Sequence, residues 1–96
     1  MQDSDDGFFE RADAHISLCN EQISEKAPLE AVNASNMYAV ARFSAWVSAC
    51  GWSSGEGMAE AKQAILDALV ADYRMMLEEN LDDYIKNFES YMRLPE

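Results

Sequence analysis

Residues 58–92 form the longest stretch of the chain without proline or glycine, and this stretch most limits what the chain can fold into. Its composition favours helix throughout. Large apolar residues recur along it at helical spacing. They are Ile65, Leu66, Leu69, Val70, Tyr73, Met76 and Leu77, followed by Leu81, Tyr84, Ile85, Phe88, Tyr91 and Met92. The pattern predicts helix with one apolar stripe, whose second half is rotated relative to the first.

The length of this stretch raises the question of what covers the stripe. An unbroken helix over residues 58–92 would span roughly 50 Å, nearly twice what either earlier helix can cover. A bend near 79–83, where Asn80 with Asp83 can cap a further helix, would fold the end back. Alternatively, the long helix projects and dimerises. We expect the bend, because small helical domains usually close a bundle rather than leave an apolar stripe bare.

Two earlier helices are predicted before this stretch. The first covers about residues 5–24, where apolar side chains share one face. Residues 24–33 around Pro28 predict a connection. A second helix then runs from Asn33 or Ser35 to about Cys50, and Gly51 is placed to end it in a left-handed conformation. Since this second helix has no strongly polar face, we expect it to be largely surrounded.

The whole chain is expected to form one all-α domain over residues 1–96, because a chain of this length can build only one core. The predicted architecture is a small bundle of three helices, the third long and bent near Asn80 to give a fourth. Residues 1–5 are expected to be a flexible acidic N-terminus, and the glycine- and serine-rich residues 51–57 a loop.

Charge limits the classes of partner. Eighteen acidic and seven basic residues give a net charge of −11. Repulsion from phosphates therefore disfavours direct binding to nucleic acid or to an anionic membrane surface. The apolar residues 35–52 are too short and too serine-rich for a membrane span, and they contain Arg42. We expect another protein as the partner, such as a basic one, or a second copy of the chain.

The sequence offers few groups for catalysis. His15 is the single histidine, and it faces Cys19 on the first helix, without a strained turn or a glycine-rich oxyanion loop nearby. Cys19 and Cys50 match no zinc spacing, and no Glu-x-x-His motif for a di-iron centre occurs. We predict no catalytic residue, metal site or cofactor. A cytoplasmic location is expected, since no secretory signal is visible and the two cysteines are expected to be reduced thiols.

Arg42 is the one basic residue in the apolar second helix. Tyr38 and Trp46 lie one turn away on either side, so the guanidinium can stack on their rings. A buried arginine also needs a carboxylate, for which Asp13 is the first choice and Asp72 the second. If Arg42 is paired, its role is structural. If it is free, it could line a ligand pocket formed by Arg42, Tyr38, Trp46, Asp13 and His15.

An exposed apolar patch is predicted around Tyr84, Phe88 and Tyr91. We therefore expect a non-enzymatic protein-interaction or regulatory module. The alternative is a small-ligand-binding or weakly catalytic bundle with its pocket around Arg42. An exposed patch would favour the first, and a concavity beside an unpaired Arg42 the second.

Three segments of the chain carry a family resemblance. They are FFERADAHISLCNEQ at 8–22, SNMYAVARFSAWVSA at 35–49 and MLEENLDDYIKNFESYM at 76–92. Together they resemble a family of short bacterial proteins catalogued as a domain of unknown function, over about residues 8–92. The resemblance implies a bacterial cytosolic setting, and it implies no activity, substrate, cofactor or functional residue.

Overall fold

The computed structural model describes residues 6–93, which form five helices and no strand, so the all-α prediction is confirmed. The helices are α1 (Phe8–Gln22), α2 (Leu29–Ala49), α3 (Gly55–Glu60), α4 (Lys62–Lys86) and α5 (Phe88–Met92). The chain divides into two units, Met1–Val47 and Ser48–Glu96. The expectation for residues 1–5 lies outside the described residues, and the single-domain expectation stays a prediction.

The turn between α1 and α2 is shorter than predicted. The hydroxyl of Ser24 accepts hydrogen bonds from the backbone N–H groups of Lys26 and Ala27, both at 3.2 Å. Helix α2 then begins at Leu29, not at 33 or 35. The physical reason is that Pro28 disfavours helix only at the residue before it, whereas its own fixed φ suits a helix start.

Helix α2 is less covered than its sequence predicts. Of the residues between 6 and 93, only Val32 is buried, and the Arg42 side chain is exposed. The expectation that this helix is largely surrounded is therefore wrong for this chain by itself. The left-handed glycine predicted at Gly51 is also wrong, because no described glycine has positive φ. A tight turn ends the helix instead, with the Gly51 N–H donating to the Ser48 carbonyl at 3.1 Å.

The predicted loop at 51–57 contains the start of α3. Ser54 is the N-cap of this helix, with extended backbone (φ −155°, ψ 155°), and its hydroxyl accepts from the N–H of Gly57 at 3.0 Å. Serine at this position satisfies an amide that the helix start leaves unpaired. The prediction of loop over 55–57 is therefore wrong, because the cap outweighs the poor helix propensity of Gly55 and Gly57.

Helix α4 runs through the position where a break was predicted. The Asn80 amide donates to the carbonyl of Met76, one turn earlier in the same helix, at 2.8 Å. Its side chain is therefore occupied within the helix and does not cap a new one. The interruption comes at Asn87 (φ −109°, ψ 27°), and another of the same length at Ala61 separates α3 from α4. Residues 58–92 thus contain parts of three helices, and the predicted break at Asn80 is wrong in position.

Candidate interaction surface on α4 and α5

Helix α4 carries its large apolar side chains on one side. At 100° per residue, eight of them fall within an arc of about 140° that extends about 27 Å along the helix. We call this set the α4 apolar face: Leu66, Leu69, Val70, Tyr73, Met76, Leu77, Leu81 and Tyr84. Their side chains are between 39% and 60% exposed. Met75 points to the opposite side, among charged residues.

A cluster of three aromatic residues extends this face past the end of α4. The rings of Tyr84 and Tyr91 meet edge to face, with centroids 5.0 Å apart. Phe88 begins α5 and lines a shallow depression together with Glu89, Met92 and Arg93. We call Tyr84, Phe88 and Tyr91 the C-terminal aromatic cluster; these are the residues for which the sequence predicts an interface, and each is half exposed. In the structure, the rings of Tyr84 and Tyr91 are in contact, and Phe88 lines the depression.

Asp83 holds the junction between α4 and α5 together. Its carboxylate accepts a hydrogen bond from the Tyr91 hydroxyl at 3.1 Å and one from the Asn87 amide at 2.9 Å. The hydrogen bond to the Asp83 carboxylate, and then its negative charge, raise the pKa of Tyr91 above its ordinary value. This network fixes the side-chain direction of Tyr91 across the helix break.

Sequence reasoning missed the Asp83 network. Its signal is present in the sequence, because Asp83, Asn87 and Tyr91 recur at intervals of four residues and so share one side of a continuous helical path. Asp83 was instead assigned to a helix cap together with Asn80, so its spacing to Asn87 and Tyr91 was not used.

The five residues proposed to line a ligand pocket lie on α1 and α2. Asp13, His15, Tyr38, Arg42 and Trp46 are all exposed. No ion pair joins Arg42 to Asp13, and the Trp46 ring lies against Phe43, with centroids 5.6 Å apart. An exposed arginine is solvated by water, so it needs no carboxylate. The pairing with Asp13 is therefore wrong, whereas the ligand pocket around Arg42 stays a prediction.

Other site chemistry is sparse in the described part of the chain. Within residues 6–93, no group of three or more His, Cys, Asp or Glu side chains could hold a metal ion. Cys19 and Cys50 are free thiols. Among the helices of the same range, none is long and apolar enough to cross a membrane.

The comparisons with known proteins decide the family. The family model described as "Protein of unknown function (DUF3144)" matches residues 8–85. The chain belongs to the DUF3144 family. The match includes the whole α4 apolar face of this DUF3144 chain, whereas Phe88 and Tyr91 lie beyond it.

A solved structure is similar to the DUF3144 chain over nearly its whole length. It is the NMR structure of the protein NB7890A from Shewanella sp, which is 32% identical, with a TM-score of 0.78. The similarity covers 99% of this chain and 100% of that one. The search of curated proteins found no match.

Proposed function

We propose that this DUF3144 chain is a non-enzymatic protein-interaction or regulatory module, which binds other polypeptides through the α4 apolar face and the C-terminal aromatic cluster. One observation carries the proposal. Twenty-six large apolar side chains between residues 6 and 93 are exposed, while a single one, Val32, is buried. Apolar surface on this scale is typical of a polypeptide that is completed by a partner.

The form of the surface supports a protein partner more than a small ligand. Small-ligand sites are concave and enclose most of the ligand. The α4 apolar face is a long convex strip, and the depression at Phe88 is shallow. Helix faces with apolar side chains at intervals of three and four residues are instead a common mode of polypeptide recognition.

The setting that we propose is bacterial and cytoplasmic. Free thiols at Cys19 and Cys50 agree with a reducing compartment. The net charge of −11 favours a partner with a basic rim when the partner is a different protein. Tyrosine and phenylalanine at the C-terminal aromatic cluster belong to the residue types that are enriched in interfaces.

Photo-crosslinking in the cells that naturally make the protein tests this proposal. Benzoylphenylalanine replaces Phe88 in one variant and Lys86, on the opposite side of the helical path, in the control. We expect a protein adduct from position 88 that is absent or much weaker from position 86, with mass spectrometry identifying the attached chain. Equal labelling at both positions, or no adduct at 88, would overturn the proposal.

A further inference from the structure

We propose that the α4 apolar face is covered by α4 of a second copy of this chain, with the two helices antiparallel and Arg74 of each copy paired with Glu78 of the partner subunit. This inference rests on the proposed function and names the partner. A two-fold axis would cross the helix pair near residue 76, so that the same face serves both copies.

The area of the face matches what a stable dimer needs. Large side chains that are about half exposed leave on the order of 100 Å² each to bury. Eight such side chains reach about 800 Å², which is what each partner contributes to an interface of standard size. Within its own unit, α4 has neighbours only at its two ends, α3 before it and α5 after it. The middle of the face is therefore uncovered within this unit.

The eight residues of this sequence that lie outside the described range do not offer a cover for this face. The residues outside the described range are five at the start and three at the end. Those at the start are polar or acidic apart from Met1, so they cannot cover an apolar strip of about 27 Å. A second copy, by contrast, brings an apolar face of the same length.

The charges along α4 select the antiparallel direction. Residues 62–74 carry equal numbers of acidic and basic side chains, whereas four of the five charged residues in 75–86 are acidic. A parallel pair would align the two acidic halves. An antiparallel pair places each acidic half beside a neutral one, and like charges placed opposite each other at an interface are costly.

Arg74 and Glu78 mark the register. Both lie beside the same edge of the α4 apolar face, and in an antiparallel pair this edge of one helix faces the same edge of the other. Although they are four residues apart, no ion pair joins them within one chain. An axis near residue 76 brings Arg74 opposite Glu78 of the partner subunit, twice by symmetry. Along the helix, the midpoint of the range 66–84 that the α4 apolar face spans lies next to this axis.

Sedimentation equilibrium of the purified full chain at micromolar concentrations tests the pairing. We expect a dimer for the unmodified chain. Arg74→Glu and Glu78→Arg are each expected to raise the dissociation constant at least tenfold, because each replaces attraction by repulsion at two symmetric contacts. The double variant R74E/E78R is expected to return to within about threefold of the unmodified chain.

The two single variants change the net charge in opposite directions, so a general charge effect cannot weaken the dimer in both. Lys86→Glu and Glu79→Arg are matched controls with the same charge changes on the outer side of α4, and both are expected to leave the dissociation constant within about threefold. Circular dichroism confirms that each variant is helical.

Three outcomes would overturn the inference: a monomer at all concentrations, a dimer that none of these variants weakens, or single variants that the double variant does not rescue. A monomer that still gives a specific adduct with a different protein from position 88 would overturn this inference and leave the proposed function standing. The absence of a specific adduct at 88 would count against the proposed function even if the chain dimerises through α4.

Discussion

Helices α2 and α4 are both rich in apolar residues, but they distribute them differently. Helix α2 has only two charged residues in its 21, Glu30 and Arg42, and its large side chains point in every direction. Helix α4 places eight of its eleven large apolar side chains within one arc and carries most of its charge around the rest. A helix of the first kind needs cover on all sides, whereas one of the second kind presents a single face with a defined direction. This difference is the reason that we propose recognition through α4.

The strongest test of this difference places a charge on either side of α4. Leu77→Glu puts a carboxylate in the middle of the α4 apolar face, where pairing would remove it from water. We expect the dissociation constant of the dimer to rise at least a hundredfold, measured by sedimentation equilibrium. Met75→Glu is the control, since Met75 is also a large exposed side chain of α4 but points away, and it is expected to change the constant less than threefold. If the two variants raised the dissociation constant equally, the dimer would not form through the α4 apolar face.

The same experiment on α2 is expected to give the opposite pattern. Met37, Tyr38 and Phe43 lie on three different sides of this helix, roughly 100° or more apart. Replacing each in turn by glutamate should lower the free energy of unfolding by similar amounts, about 1–2 kcal/mol, because each side chain is partly covered in the folded chain and loses that apolar contact. Urea denaturation measures these differences. If one of the three substitutions left the free energy of unfolding unchanged, α2 would have one side that tolerates charge, as α4 does.

A smaller effect is expected at the start of α3. Ser54→Ala removes the hydroxyl that accepts from the Gly57 N–H, and a lost N-cap costs about 1 kcal/mol. Ser53→Ala, one residue earlier, keeps the cap and is the control. Thermal unfolding should separate the two variants. Equal melting temperatures would show that the cap does not anchor the segment that leads into α4.

The smallest expected effect concerns pH and the junction of α4 with α5. Because the Asp83 carboxylate raises the pKa of Tyr91, this hydrogen bond supports the junction while the phenol is protonated, and it is lost as pH rises through the raised value. Asp83→Asn should bring the pKa of Tyr91 down towards its ordinary value. Tyrosinate absorbance during a pH titration measures this shift, and Tyr91→Phe identifies which transition belongs to Tyr91. An unchanged titration in Asp83→Asn would mean that the two side chains do not interact in solution.

Periodicity predicted the helical class and the face of α4 well, because an apolar stripe is a property of the helix itself. The ends of the helices were harder to predict. Pro28, Ser54 and Asn80 are each residue types that occur both at helix ends and in other local structures. Which of these forms depends on the backbone groups that lie nearby. Asn80, for example, matches a cap in sequence but donates to Met76 within a continuous helix. Boundaries therefore depended on single hydrogen bonds that a spacing pattern does not specify.

The candidate site also combines features that follow from spacing with features that depend on single contacts. Tyr84, Phe88 and Tyr91 follow the apolar spacing, and the sequence singled them out as an exposed patch. The link between Asp83 and Tyr91 was missed because Asp83 was assigned to a cap with Asn80, although its four-residue spacing to Asn87 and Tyr91 is visible in the sequence. For Arg42, the error came from an assumption about burial. The residue was expected to need Asp13 because α2 was expected to be surrounded, and an exposed guanidinium removes that need.

The antiparallel pairing of α4 is tested most directly by a distance between two copies. In a chain with Cys19 and Cys50 changed to alanine, Ala64→Cys introduces one spin label on the outer side of α4. An axis near residue 76 places the two labels about 36 Å apart along the helix direction, since each residue adds about 1.5 Å. Pulsed dipolar spectroscopy should therefore give a distance of 35 Å or more. A parallel pair would give about 20 Å or less, and a chain that stays monomeric would give no dipolar signal; either result would contradict the pairing.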